Sequence, residues 1–356
     1  MSIQFFYRYF FIFLYCMSSA CFGDVILASS SDGTFLSEDS GVSFSQISNL
    51  TASSIYLSNG LFLFGKNYGG VEVSFDNGKN WGEETQIQTG LTIPFIVAID
   101  GKVYVGTGDG LYRSSDKGKT WNKIFDGDVD KIASTEKAII ISAWIAGQDE
   151  IFWSQNDGDS WLKLNFDNMS SFSDLVGGGS TFVISDFFHT WLSNDNGLTW
   201  GAINPPGDSG FTNGLISGNR VFLSTPSTFP GLSIDGGINW NKIPTVDSEG
   251  WIEFGQLSDK TMMFAITAMR GVFASDNLGL LGSWGRLMPV PSDDYCYSIS
   301  DSLKSVAIGC DDGIYFSSDD GKTWSLIKNF GDPSFSKTIK EVAVLDLNPM
   351  AHFSNN

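Results

Sequence analysis

The residues of this chain that could do chemistry are mostly carboxylates. Aspartate and glutamate number 40 against 21 lysines and arginines, and there are two histidines, His189 and His352. A raised-pKa acid beside a carboxylate base or nucleophile would cleave a glycosidic bond. Asp186, Asp247, Glu249, Asp293 and Asp294 fall where such a pair could form, but no spacing singles one out. Asp126, Asp128 and Asp130 alternate in the manner of calcium ligands. The glycine and distal glutamate of an EF-hand loop are missing, so the run reads as a solvated connector. His189 has no histidine or cysteine partner at metal-ligand spacing. Neither a metal nor a cofactor is expected.

Cys296 and Cys310 carry the remaining chemistry. Tyr295 to Ser300 and Ser305 to Cys310 read as consecutive strands joined near Leu303. A hairpin centred there sets residue 296 opposite residue 310. At a non-hydrogen-bonded pair the Cα atoms lie about 4.5 Å apart, inside the disulfide range of roughly 4.4–6.8 Å. One cross-strand disulfide is expected, the alternative being two buried thiols.

The elements that must position these groups are set by an internal repeat. An octapeptide close to Ser-x-Asp-x-Gly-x-Thr-Trp recurs at Ser37–Phe44, Ser74–Trp81, Ser114–Trp121, Ser154–Trp161, Ser193–Trp200, Ser233–Trp240 and Ser317–Trp324, with a degenerate copy at Ala274–Trp284. Its acidic or amide position falls at Asp39, Asp76, Asp116, Asn156, Asp195, Asp235, Asp276 and Asp319. A period of roughly 40 residues with strand-like content signals a propeller. Between copies the sequence supplies four short strands, punctuated by Gly and Asp. The Asp accepts backbone N–H groups within its own turn, and the Gly gives the turn its backbone freedom. The expected fold is all-β: a propeller of eight four-stranded blades, with seven as the alternative. Val25 to Ala28 matches a second strand. Ile339 to Leu345 matches a first strand with nothing after it, so the C-terminal strand is expected to close the ring and remove its open edges.

Alternating strand direction puts the octapeptide turns on one face. The opposite face carries the turns between second and third strands and the connections between blades. On that face the sequence places Trp144, Phe187, Phe188, His189, Phe229, Trp251, Arg270 and Tyr295, interspersed with carboxylates. Aromatic platforms beside carboxylates suit a glycan, or a protein loop with a basic anchor. The formal net charge of −19 disfavours nucleic acid.

Residues 1–23 read as a signal peptide: Arg8, an apolar run from Phe10 to Met17, then Ser18-Ser19-Ala20. The run is too short for a comfortable membrane span, which takes roughly 20 apolar residues. Residues 24–346 are expected to form one propeller domain and 347–356 a tail, in a secreted or periplasmic protein. Cys21 raises lipid anchoring as a lesser alternative, though Ser18 stands where a lipobox prefers an aliphatic residue.

The octapeptides resemble the Asp-box, or bacterial neuraminidase repeat, of a β-propeller family, over essentially all of residues 24–346. Related rings occur in sialidases, xyloglucanase-type glycosidases, sortilin-type receptors and photosystem II assembly factors. Sialidases cluster three arginines on the substrate carboxylate. Beyond the leader this chain has only Arg113, Arg220, Arg270 and Arg286, with Arg220 toward the turn face and Arg286 on an outer strand. The expected function is a non-catalytic binding or assembly module for a protein or glycan, the alternative a secreted propeller-type glycoside hydrolase.

Overall fold

In a computed structural model, the structure describes residues 23–66, 70–84, 87, 93–167, 169–206, 210–224, 230–243, 251–256, 263–267, 271–277, 283–287, 295–302, 304–327 and 339–345. They form eight four-stranded antiparallel sheets, seven of them simple meanders, packed as the blades of an eight-bladed β-propeller. Blade 1 combines Ile339–Leu345 with Val25–Ser30, Gly33–Ser37 and Ser45–Ser48. Blades 2 to 8 follow in chain order, beginning at Ala52, Phe95, Asp128, Phe172, Asn213, Trp251 and Cys296. Ring closure is as expected: Val25 pairs with Leu345, and the register runs on to Ser30 and Ile339.

Position within a blade is written in the residues. Second strands are near-continuous apolar runs, such as Leu61–Lys66 and Ile139–Ile145, because neighbouring blades cover both of their faces. Fourth strands are the outer rim and are largely exposed, as at Leu162–Leu164 and Gly201–Ile203. The cores lie between blades. Leu61, Val73, Val103 and Trp121 pack blade 2 on blade 3, while Ile26, Ala307, Phe316 and Val342 pack blade 8 on blade 1. Burying one such side chain is worth about 1.5–3 kcal/mol.

The octapeptide turns repeat one set of hydrogen bonds. Asp116 accepts from Thr120 N–H (2.8 Å) and Thr120 O–H (2.6 Å), and Ser114 Oγ donates to Asp116 while accepting Gly118 N–H. Asp39, Asp76, Asp195, Asp235 and Asp319 do the same, and Asn156 substitutes its amide oxygen. Donors from Asn80, Thr120 and Asn239 respectively hold Asp76, Asp116 and Asp235 down at about 2. At Gly197 (φ +87°) an added Cβ would sit 2.6 Å from the Trp153 indole nitrogen of the preceding blade. That close approach requires glycine there.

One assignment from the sequence is corrected. In blade 7 the third strand ends at Ser275, so the residue two beyond it is Asn277, not Asp276. Asn277 N–H points to Ser275 Oγ as Asp116 N–H does to Ser114, and Ser275 Oγ meets Ser283 Oγ at 2.6 Å. The insertion before Trp284 displaces the alignment by one residue.

Four of the clasps also hold the residue just before the second strand of their blade. Ser40, Asn196, Gly236 and Asp320 donate backbone N–H groups to Asp24, Ser180, Asn219 and Lys304. Adjacent turns interlock: Arg113 bonds Asp157 O and Asp159, and Asn194 reaches Gly236 O. Asp319→Ala is therefore expected to lower stability by about 1 kcal/mol, a typical net hydrogen-bond contribution, read as a shifted urea midpoint. An unchanged midpoint would show the clasp to be dispensable.

A feature absent from the sequence reading recurs in the innermost strands. In six blades one residue is bulged out of register near the start of the first strand: Lys340, Ser53, Asp130, Ser173, Ile252 and Tyr297. The bulge at Tyr297 governs the cysteines. Without it Cys296 would face Asp311, because the hairpin pairs Ser302 with Ser305 and Ser298 with Gly309. With it, Cys296 faces Cys310, their Cα atoms are 3.9 Å apart and their sulfurs are joined.

Candidate functional site

The face opposite the turns is assembled from second-to-third-strand turns and blade connections, tied to each other by hydrogen bonds. Gly127 donates to Asp109 O, Gly210 to Phe187 O and Asp311 to Tyr295 O. The connection from blade 3 to blade 4 is short. Asp126 ends one strand and Asp128 begins the next, so Asp126, Asp128 and Asp130 do not form the solvated connector expected of them. Asp128 and Asp130 belong to an innermost strand, and Gly127 alone links the two.

Blades 4 and 5 carry the best-defined cluster. Trp144 is the last residue but one of the second strand of blade 4 and is 49% exposed. It faces Asp128 on one neighbouring strand and Asp149 on the other. Asp149 accepts Phe172 N–H at 3.2 Å, pinning the connection into blade 5. Asp186 pins the same connection from the other side, accepting Ser170 N–H at 2.9 Å.

Asp186 is fully buried and organises the next loop. It accepts the backbone N–H groups of Phe188 and His189 and the Ser170 hydroxyl. Burial pushes its carboxyl up, but the Ser170 N–H, the His189 ring and the Phe188 and His189 N–H groups outweigh this and hold it below the ordinary range. A carboxylate held ionised in this way cannot serve as the raised-pKa acid of a glycosidase. His189 Nδ1 lies 3.1 and 3.2 Å from the two Asp186 oxygens. An ionised carboxylate only accepts, so Nδ1 meets it as the donor, on a half-exposed ring. The ring packs by Trp191 and Phe188, with centroids 5.6 and 6.4 Å away. Phe187 and Phe188, displayed by this loop, are 52% and 74% exposed.

The structure thus brings Trp144, Phe187, Phe188 and His189 together on neighbouring blades. It does not bring Tyr295 to them: Tyr295 is exposed but precedes blade 8, four blades from Trp144 and three from the others. Phe229, Arg270, Asp247, Glu249, Asp293 and Asp294 lie outside the described residues, and Trp251 begins the first strand of blade 7. Tyr297 was missed by the sequence reading. As the bulged residue it is exposed, with its hydroxyl 3.0 Å from Asp311. Among the described residues no group of three or more His, Cys, Asp or Glu is placed to hold a metal ion, and no helix is long and apolar enough to cross a membrane.

No protein-family model and no curated protein matches the chain. Solved β-propellers are similar to it in structure. Apo AztD from Citrobacter koseri has a TM-score of 0.60 at 11% identity, covering 91% of this chain and 98% of that one. YCF48 from Cyanidioschyzon merolae has a TM-score of 0.55 at 12% identity, over 76% of this chain and 95% of that one. YCF48 bound to a D1 peptide has a TM-score of 0.54 at 15% identity, over 73% and 90%. At these identities the likeness shows the fold alone, and the fold that this chain shares with them is the β-propeller.

Proposed function

We propose that the chain is a non-catalytic binding or assembly module, secreted or periplasmic, whose octapeptide turns are Asp-box turns. Its ligand, a protein or a glycan, docks on the face opposite those turns. One observation carries this reading. Of the exposed aromatic side chains among the described residues, Phe75 lies on the turn face, while Trp144, Phe187, Phe188, Tyr295 and Tyr297 lie on the other. Exposed aromatics are the usual anchors of binding surfaces. A YCF48 propeller captured with a D1 peptide is a precedent for peptide binding by this fold, not evidence for the same partner here.

The test is a glycan array and a pull-down from the source organism's extracellular fraction, run in parallel. Trp144→Ala/Phe188→Ala should weaken retention by about tenfold or more. Leu198→Ala/Ile238→Ala, which removes exposed apolar groups from the turn face, should not. Turnover of any glycoside that one carboxylate substitution abolishes would overturn the reading in favour of a hydrolase.

A further inference from the structure

The surroundings of Trp144 narrow the partner, on the reading just given. Asp128 and Asp149 flank Trp144 across the sheet, where directly opposed Cβ atoms lie about 4.5–5.5 Å apart. Asp130, bulged out of the same strand as Asp128, is exposed. Partial burial, and then the nearby charges of Asp128 and Asp149, hold its carboxyl above the ordinary range against the opposing charge of Lys131. Three carboxylates therefore crowd round an exposed indole.

The cations nearby are engaged elsewhere. Lys131 pairs with Asp174 at 2.9 Å, and Lys123 with Asp126 at 2.9 Å and Asp109 at 3.5 Å. Asp128 and Asp130 have no hydrogen-bond or ion-pair partner among the described residues. A patch of like charges beside an exposed aromatic ring is half of a cation–π and ion-pair site.

We infer that Trp144, Asp128, Asp130 and Asp149 form a docking seat for a cationic side chain, an arginine or lysine presented by a partner protein. The guanidinium or ammonium would lie on the indole and relieve the repulsion among the three carboxylates. Phe187 and Phe188, across the connection that Asp149 and Asp186 pin, would take the apolar residues flanking it. Charge complementarity selects this occupant. A neutral glycan could stack on the indole but would leave the repulsion standing, and an anionic one would add to it. The net charge of −19 steers a basic segment inward as well.

The probe is a fluorescent nonapeptide of alternating arginine and glycine, titrated by anisotropy against the folded protein at physiological salt. Asp128→Asn/Asp130→Asn should weaken binding about tenfold, and Trp144→Ala about three- to fivefold. The control Glu38→Gln/Glu136→Gln removes the same charge from the turn face and should change it less than twofold. Equal weakening by the two charge pairs, or full binding by Trp144→Ala, would overturn the seat by reducing the effect to bulk electrostatics. If the seat fails while glycan-array or pull-down binding still depends on Trp144 and Phe188, the binding-module reading stands without it. If neither probe depends on this face, both fall. The melting temperature of each variant shows that it is folded.

Discussion

Deleting residues 338–356 is expected to abolish the cooperative unfolding transition of the whole domain. The strand lost, Ile339–Leu345, fills the first place in blade 1 and buries Ile339, Val342, Ala343 and Val344. At about 1.5–3 kcal/mol for each large apolar side chain, the loss approaches the total of about 5–15 kcal/mol that holds a typical domain together. It also bares the edge of Val25–Ser30, which no other strand covers. A chain ending after Leu345 should melt as the full chain does. Adding residues 338–345 as a free peptide should partly restore the transition. A truncated protein with the same urea midpoint as the full chain would show that the latch contributes nothing.

The second large effect concerns acids buried beside that latch. Glu341, on the closing strand, is pushed up from 4.5 to about 7 by burial. Asp301, on the first strand of blade 8, is pushed up from 3.8 to about 6 by burial, against one backbone N–H from Gln256. Both hold a proton in the folded state at pH values where the unfolded chain has released it. Their protonated forms favour folding in full below about pH 4, and that contribution is lost as pH rises through 6 and then 7. The turn aspartates held near 2 have the opposite sign. Their contribution is present above about pH 4 and lost as pH falls toward 2. Stability should therefore be greatest between about pH 4 and 5. Glu341→Gln should raise it at pH 8 by about 3 kcal/mol and flatten the decline from pH 5 to 8. Urea melts across that range decide the matter, and a variant that parallels the parent at every pH would rule the mechanism out.

Much of this fold is legible in the sequence because its signal is repeated. Seven good octapeptides and one degenerate copy in phase point to eight blades, and a spare first strand after the last of them points to closure. The reading failed where repetition did. The insertion in blade 7 moved the turn residue from Asp276 to Asn277, since local spacing was the sole guide. The innermost bulges are one residue long within β-forming runs and leave no mark in the pattern. The site was half legible. Trp144, Phe187 and Phe188 could be placed on a loop face from strand parity alone. That Asp186 is a buried clasp depends on Ser170, sixteen residues earlier and on another blade connection. Likewise Phe211, four residues beyond Pro206-Gly207, reads as loop aromatic but is fully buried, its carbonyl accepting the Ser173 and Ser185 hydroxyls.

The latch has a consequence in time as well as in energy. Val25 and Leu345 are partners in one sheet but stand near opposite ends of the described chain. A chain made at about 5–20 residues per second delivers the second strand of blade 1 on the order of half a minute before its neighbour exists. Throughout that interval the nascent molecule is an open arc whose leading edge, Val25–Ser30, is an apolar row of unpaired backbone groups. Such an edge invites pairing with the wrong strand. Until the closing strand arrives, the segment at risk is Val-Ile-Leu-Ala-Ser-Ser. Aggregation during production should track the concentration of unfinished chains more closely than the stability of finished ones.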